Sequence, residues 1–419
     1  MSGTDGKSIQ QNMIFNTVGS LVYYACQWLM SVIIVRISGF DDVGLLSLAM
    51  SATSAPGIVG LFNVRSYQVS DIDGQYTDRE YIRSRIYTNM LSVAVCLGVV
   101  LFYGYSAEKA VIILVFMAFK VAEGMADVYY GIYQKNQRLD FAGISLTIRG
   151  LGSLACFLGV FFASGSLLLS IVIMSAFSMS IVLLYDRKQA RKYQVGEKED
   201  RKMLLKQVRL LLITCLPLAV VSFLNNLSLT IPKLYLESYF GETIMGIYSS
   251  VASPTIVIQL AATTLFAPLI PPLTLEFSRG RRRSFLKKLG QFAALIGGLT
   301  VLALILAKIL GRWALVLLFG SEIEPYVYLF IPVIIISILI AVNASMFSIC
   351  TLMRAIRIQY VIGAAAIAAA LIGSLTLVKG LSMNGVVLAL GLTLCVQIAI
   401  QIFIICGKMR KMGDAGEHE

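Results

Sequence analysis

The sequence predicts an all-α integral membrane protein of about twelve transmembrane helices. They are expected in two six-helix lobes, related by a pseudo-two-fold along the membrane normal and flanking a central cavity. Three observations carry that expectation. Apolar stretches of roughly twenty residues, each long enough to cross about 30 Å of hydrocarbon, recur along all 419 residues. The chain is 58% hydrophobic and only 14% charged, against about 25% charge in soluble domains. Its cations are sorted by side: with the N-terminus inside, about 27 of the 35 Lys and Arg fall in inner segments and about six in outer ones. That bias places both termini in the cytoplasm. It assigns the net charge of +12 to topology and anionic lipid rather than to nucleic acid.

The apolar segments run 13–35, 43–64, 86–103, 110–133, 143–163, 166–185, 209–232, 244–273, 285–307, 325–350, 355–378 and 383–406. The first is too long for the core of a signal peptide and reads as a retained helix. Asp41 and Asp42, ahead of the second segment, and Glu242 and Thr243, ahead of the eighth, stand where acids and hydroxyls cap helix N-termini. Residues 76–85 mix acids and arginines with Tyr81 and Ile82, the pattern of a connecting helix at the inner interface. The seventh segment carries Pro217, Asn225, Asn226 and Pro232. The eighth is interrupted by Pro254, Thr263, Thr264, Pro268, Pro271 and Pro272. Each proline removes a helical hydrogen bond, and freed carbonyls are tolerated only against protein or water. Both segments therefore suit a moving or substrate-lining element. Before the tenth segment, residues 311–319 read equally well as a separate short helix.

The longest non-apolar stretch, 186–208, follows the sixth segment. It divides the chain into a first lobe (1–186), a cytoplasmic linker (187–208) and a second lobe with a short tail (209–419). At an offset of 202 the halves match locally: Gly39, Gly44, Ser47, Ser51 and Thr53 align with Gly241, Gly246, Ser249, Ser253 and Thr255. Both copies span the turn from first to second helix of a half, which implies parallel repeats.

Charges inside the spans mark the candidate site. Lys120, Glu123 and Asp127 share the fourth span, and Arg149 lies in the fifth. A charge at membrane depth costs at least about 2.5–3.5 kcal/mol, so each should face a partner or water. At helical spacing 120, 123 and 127 fall within an arc of about 60°, beside Gly124, Tyr130 and Gly131. Lys120 can pair with Glu123 along its own helix, and the depths of Asp127 and Arg149 predict a second pair. The functional reading gives the cations an anionic head group to bind. It gives Glu123 or Asp127 a proton or sodium ion to couple. The bland reading is mutual neutralisation.

Other chemistry finds no support. The seven cysteines lie in or at the ends of spans without CxxC spacing, so neither disulfides nor a metal site is expected. His418, the single histidine, sits in the polar tail, and there is no GxxxxGK[ST] loop for ATP hydrolysis. No cofactor is expected.

Three motifs carry a family resemblance. Arg65 to Asp71 (RSYQVSD) resembles the RxYQVSD-like segment of Wzx-type polysaccharide flippases, in the multidrug/oligosaccharidyl-lipid/polysaccharide exporter superfamily. Phe240 to Ser250 (FGETIMGIYSS) is similar to that family's second-half turn, and Ala267 to Pro272 (APLIPP) to its exit from the eighth helix. The resemblance implies a transporter in the bacterial cytoplasmic membrane, working by alternating access without ATP. It would carry undecaprenyl-pyrophosphate-linked oligosaccharide, for capsule, O-antigen or a teichoic-acid-type precursor, and would meet other polysaccharide-assembly membrane proteins. Arg149, Lys120, Arg36 and Arg65, with Asn225 and Asn226, fit head-group binding by their chemistry. A cation-coupled multidrug exporter on the same scaffold is the second reading. A membrane glycosyltransferase or polymerase, needing Asp41 or Asp42, is the third.

Overall fold

The computed structural model describes residues 9–71, 73–193, 201–256, 258–259, 272–273, 275–276, 279, 281–353 and 356–416. Thr263, Thr264, Pro268, Pro271, most of the 267–272 motif and His418 lie outside the described residues. The described chain is helical: α1 Ile9–Ser38, α2 Phe40–Leu61, α3 Val64–Ser70, α4 Asp78–Tyr103, α5 Ala107–Lys135, α6 Leu139–Ser164 and α7 Leu167–Ile181. A π turn (Val182–Asp186) joins α7 to α8, Arg187–Ala190. Then come α9 Arg201–Ala252, α10 Arg282–Phe319, α11 Phe330–Leu352, α12 Ile356–Gly373 and α13 Lys379–Gly416.

Nine of the described helical stretches are long and apolar enough to cross a membrane. Two of them, each 51 residues long, are broken at Gly241 (φ 81°) and Ser382 (φ 51°). Counting both parts of each, and adding α5 with its three internal charges, gives a number consistent with about twelve spans, the eighth being described only in part. Residues 311–319 are no separate helix; they complete α10, and a 3-10 segment, Ser321–Leu329, leads into α11. Residues 78–85 likewise form no independent interfacial helix. A Thr77–Glu80 capping box starts α4 at Asp78, and the helix runs unbroken to Tyr103.

The chain divides into two compact units. One holds the residues up to Ile34 and Leu45–Phe223; the other holds Val35–Gly44 and the residues from Leu224 on. Residues 201–208, in the expected linker, are already helical. In the first unit α1 and α6 touch backbone to backbone. A Cβ on Gly19 would collide with the Gly143 backbone, one on Gly143 with the Phe15 carbonyl, and one on Gly150 would lie 2.9 Å from Tyr23 Cα. Small residues are what allow such an approach between spanning helices.

In the second unit the two turns of the repeat meet. Gly39 (φ 90°) and Gly241 (φ 81°) make the same left-handed reversal. A Cβ on Gly44 would strike the Glu242 carbonyl, and one on Gly246 the Phe40 carbonyl. Positions 40 and 242, and 44 and 246, are repeat counterparts, so these two turns pack about a local two-fold. Thr243 donates across it to Asp41.

Candidate functional site

The site grows from α5, which Ser106 caps and whose polar residues share one face. Lys120 Nζ lies 2.7 Å from Glu123 Oε2, both side chains being 26% exposed. This is the expected pair. Tyr23 of α1 donates its hydroxyl to the other oxygen of Glu123. Glycines make room beside the stripe: a Cβ on Gly124 would meet the Asn89 amide at 2.6 Å.

Asp127 does not pair with Arg149. It receives Arg85 Nη2 at 2.6 Å and Arg65 Nη1 at 3.2 Å. The reason lies in α3 and α4. The turn through Phe62 and Asn63, both at positive φ, starts α3 and brings Arg65 to α5, where its Nη2 also donates to Gln134 (3.0 Å). Asn63 holds that turn by donating to Leu218 O (3.1 Å) and Ser222 Oγ (2.7 Å) on α9. Arg85, fully buried, donates its Nη1 to Gly60 O (2.7 Å), which also accepts from Thr88 (2.7 Å). That carbonyl lies in the last turn of α2, where helix carbonyls lack partners of their own.

Arg85 is the residue the sequence reading misses, because it follows Arg79 and Arg83 and reads as another inner-loop cation. A usable signal exists: Tyr81, Arg85, Thr88 and Ser92 recur at i, i+4, i+7 and i+11, the spacing of one helix face. All four are buried.

Arg149 is 2% exposed and contacts neutral groups. Its Nε donates to Ser178 Oγ (3.0 Å) and its Nη1 to Tyr130 OH (3.3 Å), while the guanidinium lies 5.5 Å from the Tyr23 ring centre. Tyr130 OH is 2.9 Å from Ser145 Oγ, which donates to Asp186 Oδ2 at 2.9 Å. Tyr133 OH donates to the Asp186 backbone carbonyl, also at 2.9 Å. Asp186, at the edge of the expected linker, is fully buried on the π turn.

The remaining candidates sit in the second unit. Arg36 binds carbonyls at the end of α10: those of Leu318 (2.9 Å) and Val316 (3.2 Å), and that of Leu317. Asn225 accepts from Gln397 (3.0 Å) and Asn343 (3.3 Å), and Gln401 donates to Asn343 (3.1 Å). The backbone carbonyl of Asn226 accepts from Thr230. Thus Lys120, Glu123, Arg65, Asp127 and Arg149 belong to one polar system of the first unit, while Arg36, Asn225 and Asn226 do not.

Asp71, at the end of α3, ties the site to the base of α4. It accepts from the N–H groups of Gln75 (2.8 Å) and Tyr76 (3.1 Å) and from Tyr81 OH (2.8 Å), with Lys135 Nζ at 4.0 Å. Burial pushes this carboxyl up, but the three donors and Lys135 outweigh it and hold it below its ordinary value. Such a group stabilises the fold fully above its unfolded value, about 3.9, and ceases to as pH falls through the lower folded one. Asp71→Asn is therefore expected to lower the melting temperature at neutral pH, by a margin that closes on acidification below about pH 4. A margin independent of pH would show that the carboxylate charge is not what matters.

The fold has solved counterparts. The eukaryotic MATE transporter AtDTX14 superposes with a TM-score of 0.68 at 14% identity, covering 97% of this chain and 98% of that one. An inward-facing multidrug resistance MATE family transporter of the MOP superfamily gives a TM-score of 0.63 at 13% identity, covering 98% and 97%. The fold is therefore that of a multi-pass, all-α membrane protein. A family model described as polysaccharide biosynthesis protein matches residues 9–274, and the chain belongs to that family. The capsular polysaccharide biosynthesis protein CapF of Staphylococcus aureus is 29% identical over 317 residues, 74% of this chain and 78% of that protein.

Proposed function

We propose that the protein is a flippase that carries a lipid-linked oligosaccharide, of the undecaprenyl-pyrophosphate class, across the bacterial cytoplasmic membrane by alternating access. In this reading both termini lie in the cytoplasm. The observation that carries this reading is the charge of the α5 system. Lys120, Arg65, Arg85 and Arg149 face three acids, Glu123, Asp127 and Asp186, leaving a net positive site. A pyrophosphate needs cations it can reach. Lys120, 26% exposed, and Arg65, 31% exposed, are those cations, and Arg149 orders the groups behind them. A drug exporter for organic cations would call for the opposite sign.

The test is transport by the reconstituted protein. In vesicles carrying a labelled polyprenyl-pyrophosphate oligosaccharide, Lys120→Ala with Arg65→Ala is expected to slow appearance of the label in the far leaflet by about tenfold for each lost contact. In cells lacking the protein, lipid-linked repeat units should accumulate on the cytoplasmic leaflet. Normal surface glycan together with new sensitivity to cationic dyes would instead establish drug export.

A further inference from the structure

Ion pairs occupy Glu123 and Asp127, the acids expected to couple an ion. Asp186 is a buried acid with no cation in direct contact among the described residues. Its side chain takes hydrogen bonds from Ser145 and, at 3.4 Å, from Tyr133. The direction of the bonds leading to it follows from valence. A carboxylate can only accept, so the one proton of Ser145 points at Asp186 Oδ2. The Tyr130–Ser145 bond must then carry the tyrosine proton. Tyr130 in turn accepts from Arg149, which can only donate. All three bonds thus point one way, from guanidinium to carboxylate, in a row joining α6, α5 and the end of α7. Arg149 carries a second sign of an unfinished arrangement: its Nη2 is buried without a partner.

We propose that Asp186 is the proton-binding site of this transporter, and that Ser145 and Tyr130 relay its charge state to Arg149. One proton from water adds to Oδ2 and makes a carboxylic acid. Ser145 then accepts from Asp186 and turns its own proton toward Tyr130. Tyr130 O–H, facing a donor, must turn away, and its hold on Arg149 changes. Release of the proton to water restores the first arrangement. Arg149 stacks against Tyr23, whose hydroxyl holds Glu123, the partner of Lys120. Proton binding at one end is in this way coupled to the reachable cation at the other.

Two features support the assignment. The acid sits on a π turn, a distortion that recurs at functional positions in helices. It also immediately precedes Arg187 and Lys188, which are exposed. The titratable and charged groups around it are Tyr129, Tyr130 and Tyr133 on α5, Arg149 on α6, and Tyr185 beside it. Arg187 and Arg191 on the following turn, with Arg138 at the N-cap of α6 and Asp140 in its first turn, also act on the tyrosines around it.

The experiment is a pH titration of the protein in lipid nanodiscs, read by infrared difference spectroscopy and by hydrogen exchange. It needs no substrate, so its outcome is independent of the flippase reading. The protonated-carboxyl C=O band is expected to titrate in the native protein, to vanish in Asp186→Asn, and to persist in Glu123→Gln. Asn keeps one oxygen to accept from Ser145, and Tyr133 keeps the backbone carbonyl of residue 186, so this variant should fold. A band that survives Asp186→Asn, or that Glu123→Gln removes, overturns the assignment. Protection along α6 near Arg149, relative to the intrinsic exchange rate at each pH, should change with pH in the native protein and not in Asp186→Asn or Tyr130→Phe. A pH-dependent change in that protection retained by Tyr130→Phe overturns the relay.

Discussion

Gly143→Val is expected to destabilise the protein by about 3 kcal/mol or more, the upper end of what overpacking costs, and to disable the site at the same time. The added side chain has no room, because α1 and α6 are in backbone contact at Gly143 and Gly19. It can fit only if the helices separate. Separation withdraws Tyr23 from both Arg149 and Glu123, since Tyr23 lies on α1 against Gly150. Gly159, on the same helix, has nothing within 4 Å of an added Cβ. Gly159→Val should therefore change stability by less than about 0.5 kcal/mol. Unfolding of the two variants in detergent, by heat or denaturant, measures the contrast. Equal losses would mean that the close approach does not hold α1 and α6 together.

Asp127→Ala should cost about 3–5 kcal/mol, the range for removing one partner of a buried ion pair. The loss is large because two guanidinium groups share this carboxylate and Arg85 is completely buried. What remains for Arg85 is the Gly60 carbonyl. The double variant Arg85→Leu with Asp127→Leu removes the stranded charge and should recover most of the stability, though not transport. A single variant as stable as the native protein would show that Arg85 finds water. A double variant no better than the single would show that packing, not charge, sets the loss.

Much of this was legible before any coordinates. Hydropathy specified most of the spans, and helical spacing put 120, 123 and 127 on one face, where Lys120 and Glu123 do pair. Depth reasoning failed for Asp127 because it compared two sequence-adjacent spans and left out α3, a seven-residue helix too short to register as a span. Arg85 was hidden by its neighbours: a window of mixed charge reads as loop, although alternate turns of one helix can face a dry interior and solvent. Asp186 was hidden by its place at the edge of a charged stretch. The hydroxyls of Tyr23, Tyr130 and Tyr133 join the charged groups to one another, and nothing in a sequence marks which phenol ends against which acid.

The reciprocal contacts at Gly44 and Gly246 make each turn a constraint on the other: a side chain added at either glycine runs into the backbone of the sister turn, so neither position can enlarge unless the opposite segment gives way.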